Sequence, residues 1–288
     1  MRLADHYNAG IISVDSALVY RGMNIGTAKP DNETLSAHPH ALIDILSPLE
    51  SYSVAEFLRD VAVEIARVQS EGRLPLLVGG TMLYFNALTK GLSSLPAADA
   101  DVREKLEETR RREGLPALYS QLCQLDPESA GRIDANDPQR IVRALEVYAL
   151  TNRTLSEHYA DSKQGGGRYS SCTLSLWTDR AELHKRIERR FGLMCDAGFI
   201  EEVESLRRQY PDLDLSYPSM RCVGYRQMWQ YLDGECSRKE LSDKGIAATR
   251  QLAKRQITWM RKMDDLHKLE VGNDLESAAI ACVDNFLS

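Results

Sequence analysis

An α/β fold, built on a parallel sheet and carrying helical insertions, is what this sequence predicts, and three observations support it. The apolar run "IISV" is followed by the amphipathic "SVAEFLRDVAVEIARVQSEG" and then by the apolar "LPLLV". Strand, helix, strand, with strands apolar throughout, is the pattern of a parallel sheet covered by helices on both faces. Two later runs, "CTLSLW" and "LHKLEV", return to strand after long helical stretches.

The 288 residues suffice for one large domain or two smaller ones, and 43% hydrophobic with 27% charged residues is ordinary for a globular chain. No apolar run is long enough to span a bilayer, and the first residues show no charged-then-apolar leader, so a cytoplasmic protein without a membrane is expected. The six cysteines are scattered without a C-x-x-C pair and read as reduced thiols, not as a disulfide frame or zinc site. A formal net charge of −6 argues against nonspecific polyanion binding but leaves room for a local basic surface.

Taken in order, Met1, Leu3, Ala4 and Tyr7 have helical spacing, and Gly10 stands where the end of that helix would want it. Residues 17–48 read as irregular, punctuated by Gly22, Gly26, Pro30, Pro39 and Pro48. Ser53 and Glu56 form a capping-box pattern, while Val54, Phe57, Leu58, Val61, Ile65 and Val68 line one face of the helix that follows. Gly72 ends it, and "LPLLV" reads as a fully buried strand. From Val102 to Tyr159 the pattern is helical, with Asp137 and Pro138 as N-cap and first helical residue. "KQGGGRYSS" reads as a flexible link, and residues 179–263 are mostly helical. The expected organisation is a first part of the α/β core at 1–95, a mainly helical segment at 96–168 and a core strand at 169–182. A helical insertion at 183–250 and a basic helix returning to the core at 251–288 complete it.

Five stretches carry candidate chemistry. In "SVDS", Asp15 stands at the end of a strand, where parallel sheets place ligands; on this stretch alone a capping role is equally good. In "LLVGGTMLYF", two glycines and Thr81 allow close backbone approach before a helix N-terminus, or form a tight turn and nothing more. "RCVGYRQMW" sets Arg221 and Arg226 about Gly224 and Tyr225, a composition suited to RNA stacking and phosphate contacts, though common on plain surfaces. In "TRQLAKRQITWMRK", Arg250, Lys254, Arg255, Arg261 and Lys262 share one half of a helical wheel. Leu252, Ala253, Ile257, Trp259, Met260 and Met263 take the other half, and so one-sided a charge favours a polyanion partner. Arg140 and Arg143 add a second basic spot. A phosphate loop, G-x-x-x-x-G-K-[ST], is not found: "GMNIGTAK" has the wrong spacing and "GGGRYSS" has no lysine.

Together and in order, "IISVDSALVYRGMNIGTAKP", "LLVGGTMLYF", "NDPQRIVRALEVY", "MRCVGYRQMW" and "ATRQLAKRQITWMR" resemble the bacterial tRNA dimethylallyltransferases. The resemblance spans nearly the whole chain. It implies a P-loop kinase-like core with a helical insertion and transfer of a dimethylallyl group from its diphosphate to N6 of the adenine 3′ to the anticodon. By the same resemblance Asp15 matches the general base, and Ser16, Ala17 and Leu18 match the stretch meeting the target adenine. Thr81, Arg103, Gln139, Arg140 and Arg143 match tRNA-contacting positions, as do Arg221, Cys222, Gly224, Tyr225 and Arg226. Lys254, Arg255, Gln256, Trp259 and Arg261 complete that set. Mg²⁺ with dimethylallyl diphosphate, an anticodon stem-loop partner and a monomer are implied too.

The chemistry agrees with these residue types. An adenine amine is a poor nucleophile, so a carboxylate must take its proton as the C–N bond forms. The leaving diphosphate needs its charge neutralised, and the base must leave its stack. The resemblance departs at the amino end, where the family carries a strand, G-P-T-x-S-G-K-T and a helix before the "IISVDS" strand. Met1 therefore reads as an internal methionine, with the first strand and phosphate loop absent, and these 288 residues are expected to be inactive and poorly folded. Two other readings stand beside this one. A small-nucleotide isopentenyltransferase or kinase of the same core has no RNA surface, and a non-catalytic tRNA-binding protein releases no diphosphate.

Overall fold

The chain opens on a short helix, α1 (Arg2–His6), and turns through Asn8, at φ 48°, into strand β1 (Ala9–Val14). Asparagine tolerates that left-handed backbone, so the turn needs no glycine. Gly10, expected at the helix end, lies inside β1 instead. The computed structural model describes residues 1–91, 95–162, 169–263 and 265–288. They form two units, Met1–Ala87 with Ser170–Ser288, and Leu88–Tyr169.

In the first unit the stretch expected to be irregular contains a helix, α2 (Asn32–Ala37), capped by Asp31 Oδ1 on the Thr34 N–H, and a two-residue strand, β2 (His40–Ala41). The missed helix is too short for hydrophobic periodicity to reveal it. Helix α3 (Val54–Ser70) starts at the expected capping box of Ser53 and Glu56 and buries Phe57, Val61, Ile65 and Val68. It lies so close to β1 that a Cβ on Gly10 would stand 2.6 Å from Val68 Cγ2. Strand β3 (Leu74–Gly79) then pairs in parallel with β1, from Ala9 opposite Leu74 to Val14 opposite Gly79. The sheet order is β2-β1-β3.

β1 is buried along its whole length, but β3 is not the fully buried strand expected. Val78 is 49% exposed, because β3 has β1 as its one paired neighbour among the described residues. Helix α4 (Met82–Lys90) follows.

The second unit is helical: α5 (Ala100–Glu113), α6 (Leu115–Leu125), α7 (Pro127–Ala130), α8 (Pro138–Thr151) and α9 (Leu155–Ser162). Asp137 caps α8 through the Arg140 N–H at 3.1 Å, with Pro138 in the first turn, as the sequence predicts. Leu118, Leu122, Ile141, Val142, Leu145 and Val147 form the core of this unit. Most of the glycine-rich link expected at "KQGGGRYSS" (163–168) lies outside the described residues.

The chain re-enters the first unit as β4 (Thr173–Trp177) and continues through α10 (Arg180–Asp196), α11 (Phe199–Gln209), α12 (Tyr225–Leu232) and α13 (Arg238–Met260). Strand β5 (Leu266–Glu270) and α14 (Leu275–Leu287) complete it. β4 and β5 pair in parallel as a separate two-stranded sheet, where a single sheet was expected. β4, like β3, is paired on one edge among the described residues, and its Leu176 is 62% exposed. Residues 183–250 share one core with the start of the chain: Val19, Tyr20 and Met23 pack with Phe199, Val203, Met220, Tyr225 and Met228. Among the described residues no helix is long and apolar enough to cross a membrane.

Candidate active site

The carboxyl ends of β1 and β3 bring Asp15 and Thr81 together, because the in-register pairing ends with Val14 opposite Gly79. A Cβ on Gly79 would fall 2.1 Å from the Val14 carbonyl oxygen, so glycine is what lets the two turns touch. The Thr81 N–H donates to that carbonyl at 3.1 Å. Its Oγ1 accepts from the Ser16 N–H at 2.9 Å and lies 3.2 Å from Ser16 Oγ, to which it donates.

Asp15 is half-buried, and its Oδ1 accepts from the N–H groups of Ala17 at 2.7 Å and Leu18 at 3.2 Å. The two readings open in the sequence, cap and reactive acid, therefore hold together: one oxygen closes the turn. Oδ2 has no donor among the described residues. A carboxylate aimed by backbone N–H groups with one oxygen free has the form a positioned general base requires.

The basic helix reaches this turn through Gln256, whose Nε2 donates to the Gly80 carbonyl at 2.9 Å. A Cβ on Gly80 would stand 2.6 Å from that nitrogen, which explains the second glycine of the motif. Lys254, Arg255, Arg261 and Lys262 are exposed, and no acid pairs with them among the described residues. The apolar half of the expected wheel is not uniformly buried: Leu252 is 37% and Trp259 39% exposed. Helix α13 packs through its first half, where Gly245 meets Phe191, and its second half carries no fully buried residue.

"RCVGYRQMW" divides under burial. Arg221 and Arg226 are exposed, and Arg221 Nη2 donates to the Ser216 carbonyl at 2.8 Å. Tyr225, expected to offer an RNA-stacking ring, is fully buried instead. Its ring meets Phe199 edge-on and its hydroxyl donates to Glu202 Oε1 at 2.6 Å. That glutamate also accepts from the N–H groups of Asn24, Ile25 and Gly26, so Tyr225 and Glu202 together hold the loop after "SVDS". Gly224 is likewise buried, at φ 93°, and turns the chain into α12. Cys222 points its thiol at the Pro218 carbonyl; burial, and secondarily the Asp15 charge, push that thiol up to about 12. It is a neutral neighbour of Asp15, not a nucleophile.

In the second unit Gln139 and Arg140 are exposed at the start of α8, and Arg140 pairs with Asp137 at 3.2 Å. Arg103 and Arg143 converge on Glu146, a carboxylate that the sequence motifs do not single out. The signal for it was an acid three residues after Arg143, between the apolar Leu145 and Val147.

This geometry defines a class: a parallel α/β enzyme with a positioned carboxylate at the strand ends and exposed basic surface. Residues 18–263 match the family model described as IPP transferase. A tRNA dimethylallyltransferase of Chromobacterium violaceum is 48% identical over 289 residues, covering 100% of this chain and 89% of that protein. A tRNA isopentenylpyrophosphate transferase of Bacillus halodurans superposes with a TM-score of 0.69 at 34% identity, over 99% of this chain and 91% of that one. A eukaryotic dimethylallyltransferase acting on tRNA gives 0.81 at 24% identity over 99% of this chain and 75% of that one, a likeness of fold. The chain belongs to the tRNA dimethylallyltransferase family.

Proposed function

We propose that this chain carries the base and the RNA-facing side of a transferase that moves a dimethylallyl group from its diphosphate to N6 of the adenine 3′ to the anticodon in tRNA. The observation that carries the proposal is Asp15, fixed through Oδ1 with Oδ2 free, beside a turn that Gln256 ties to an exposed basic helix. In the reaction Oδ2 takes a proton from the amine as nitrogen bonds to the allylic carbon. The carbon–oxygen bond breaks, and its electron pair leaves with diphosphate. Membership of the family and the name of the 48% identical relative support the substrate pair.

The leaving group needs donors that these 288 residues do not supply as a G-x-x-x-x-G-K-[ST] loop. Among the described residues no three His, Cys, Asp or Glu side chains converge on a cation. Magnesium bound through diphosphate oxygens needs no more than one or two carboxylates, so such an ion is proposed to arrive with dimethylallyl diphosphate. The chain is proposed to act as a cytoplasmic monomer on an anticodon stem-loop.

The test compares ligands. The purified 288-residue chain is titrated with an unmodified anticodon stem-loop and with adenosine monophosphate, and diphosphate release is then assayed with dimethylallyl diphosphate present. Stem-loop binding without adenylate binding supports the proposal, and the reverse preference points to a small-nucleotide transferase. Diphosphate release that accompanies stem-loop modification supports the transferase reading, and stem-loop binding without it points to a non-catalytic tRNA-binding protein.

A further inference from the structure

The side chain of Glu146 is wholly inaccessible, a place where a carboxylate persists only with partners. Its Oε1 accepts from the Asp99 N–H at 2.9 Å and lies in ion-pair contact with Arg103 Nε at 2.8 Å. Its Oε2 accepts from Arg103 Nη2 at 3.2 Å and from Arg143 Nη1 at 2.6 Å. Arg143 Nη2 donates to the Pro96 carbonyl at 2.6 Å. Burial alone would raise this carboxyl, but the donations from Arg143, Asp99 and Arg103 outweigh it and hold it below the ordinary glutamate value. The cluster is thus ionised at neutral pH, with two positive charges around one negative.

An apolar side chain of similar volume often serves stability as well as a buried ion cluster does, so this one invites a reason beyond stability. Both arginines remain partly open to solvent, at 48% and 27% side-chain exposure. Arg103 Nη1 has no acceptor among the described residues. We propose that Glu146 is a positioning residue for RNA, holding Arg103 and Arg143 in one orientation in which their remaining donors meet backbone phosphates. A guanidinium already pinned loses less freedom on docking than one swinging in solvent. The inference rests on the reading that this unit faces tRNA.

Charge and order make opposite forecasts here. Glu146→Gln keeps the shape of the side chain and one acceptor, yet adds one net positive charge to the unit. If attraction alone mattered, RNA would bind more tightly and with steeper salt dependence. If Glu146 acts by orienting, binding weakens and the slope flattens.

The experiment measures the affinity of the 288-residue chain for an unmodified anticodon stem-loop across a salt series, with thermal melts confirming that each variant folds. Glu146→Gln is expected to weaken binding about three- to tenfold and to flatten the slope. In an Arg103→Ala, Arg143→Ala background the same change is expected to alter affinity by less than about twofold. Unaltered binding by that double variant overturns both the RNA reading of this unit and the inference built on it. If the arginines matter but Glu146→Gln binds as tightly or more tightly, the inference alone is overturned. It is overturned equally if the loss persists without the arginines, the mark of a merely structural role. Should Glu146→Gln fail to fold, Arg103→Lys replaces it: charge is kept, the two-pronged fork is removed, and unweakened binding rejects the proposal.

Discussion

Asp15 and Glu146 are both ionisable acids held by hydrogen bonds, yet they are finished differently. Glu146 takes three donations across both oxygens and a close ion-pair contact from Arg103 Nε, with its side chain inaccessible. Asp15, half-buried, takes two backbone donations on one oxygen and none among the described residues on the other. A carboxylate held on both oxygens by charged and backbone donors serves geometry. One with an open oxygen is oriented and still has an acceptor site, as proton transfer at a stated atom requires.

The largest effect expected from this contrast is at Asp15. In a form of the protein active in transfer, Asp15→Ala lowers turnover by ~10²–10⁴-fold, the usual worth of a general base, while stem-loop affinity stays nearly intact. Turnover close to that of the unsubstituted protein would erase the distinction between the two acids.

If Asp15 serves chemistry, RNA affinity in its unit must come from elsewhere. Charge reversal at Lys254, Arg255 and Arg261 is expected to cost roughly 10–10²-fold in affinity and to flatten the salt slope by about 0.7 for each phosphate no longer neutralised. A slope unchanged in the triple variant takes this helix off the RNA.

Acid titration sharpens the other side of the comparison. Because the folded-state Glu146 carboxyl lies below its ordinary value, the stability it brings is present above the unfolded value and is lost as pH falls through the folded one. Glu146→Gln should therefore lose less melting temperature than the unsubstituted chain between about pH 6 and about pH 3. Parallel acid profiles would show that the arginine cluster does not hold the carboxylate ionised.

The smallest effect concerns the thiol beside Asp15. Cys222 should resist alkylation near neutral pH while the exposed Cys123 reacts. Asp15→Asn should move Cys222 reactivity slightly toward lower pH, since burial, not the Asp15 charge, is the larger cause of its shift. Mass spectrometry of alkylated peptides across pH decides it, and a Cys222 as reactive as Cys123 would contradict the burial.

Much of this protein was legible in its residues. The capping box at Ser53 and Glu56, the Asp137–Pro138 start and the parallel strands about α3 follow from local pattern, because caps and periodicity act over a few neighbours. Asp15 and Thr81 were legible as strand-end residues for the same reason. What only the tertiary structure decided are relations between distant segments. Among the described residues β3 pairs with β1 alone and so is not the fully buried strand its apolar run suggests. Tyr225 belongs to the core because Phe199 and Glu202 close over it, although its motif alone suggests a surface ring. Gln256 braces Gly80 across 176 positions of chain. Glu146 meets Arg143 at a three-residue spacing on one helix, but no spacing in the sequence encodes its meeting with Arg103, which depends on how α5 packs on α8.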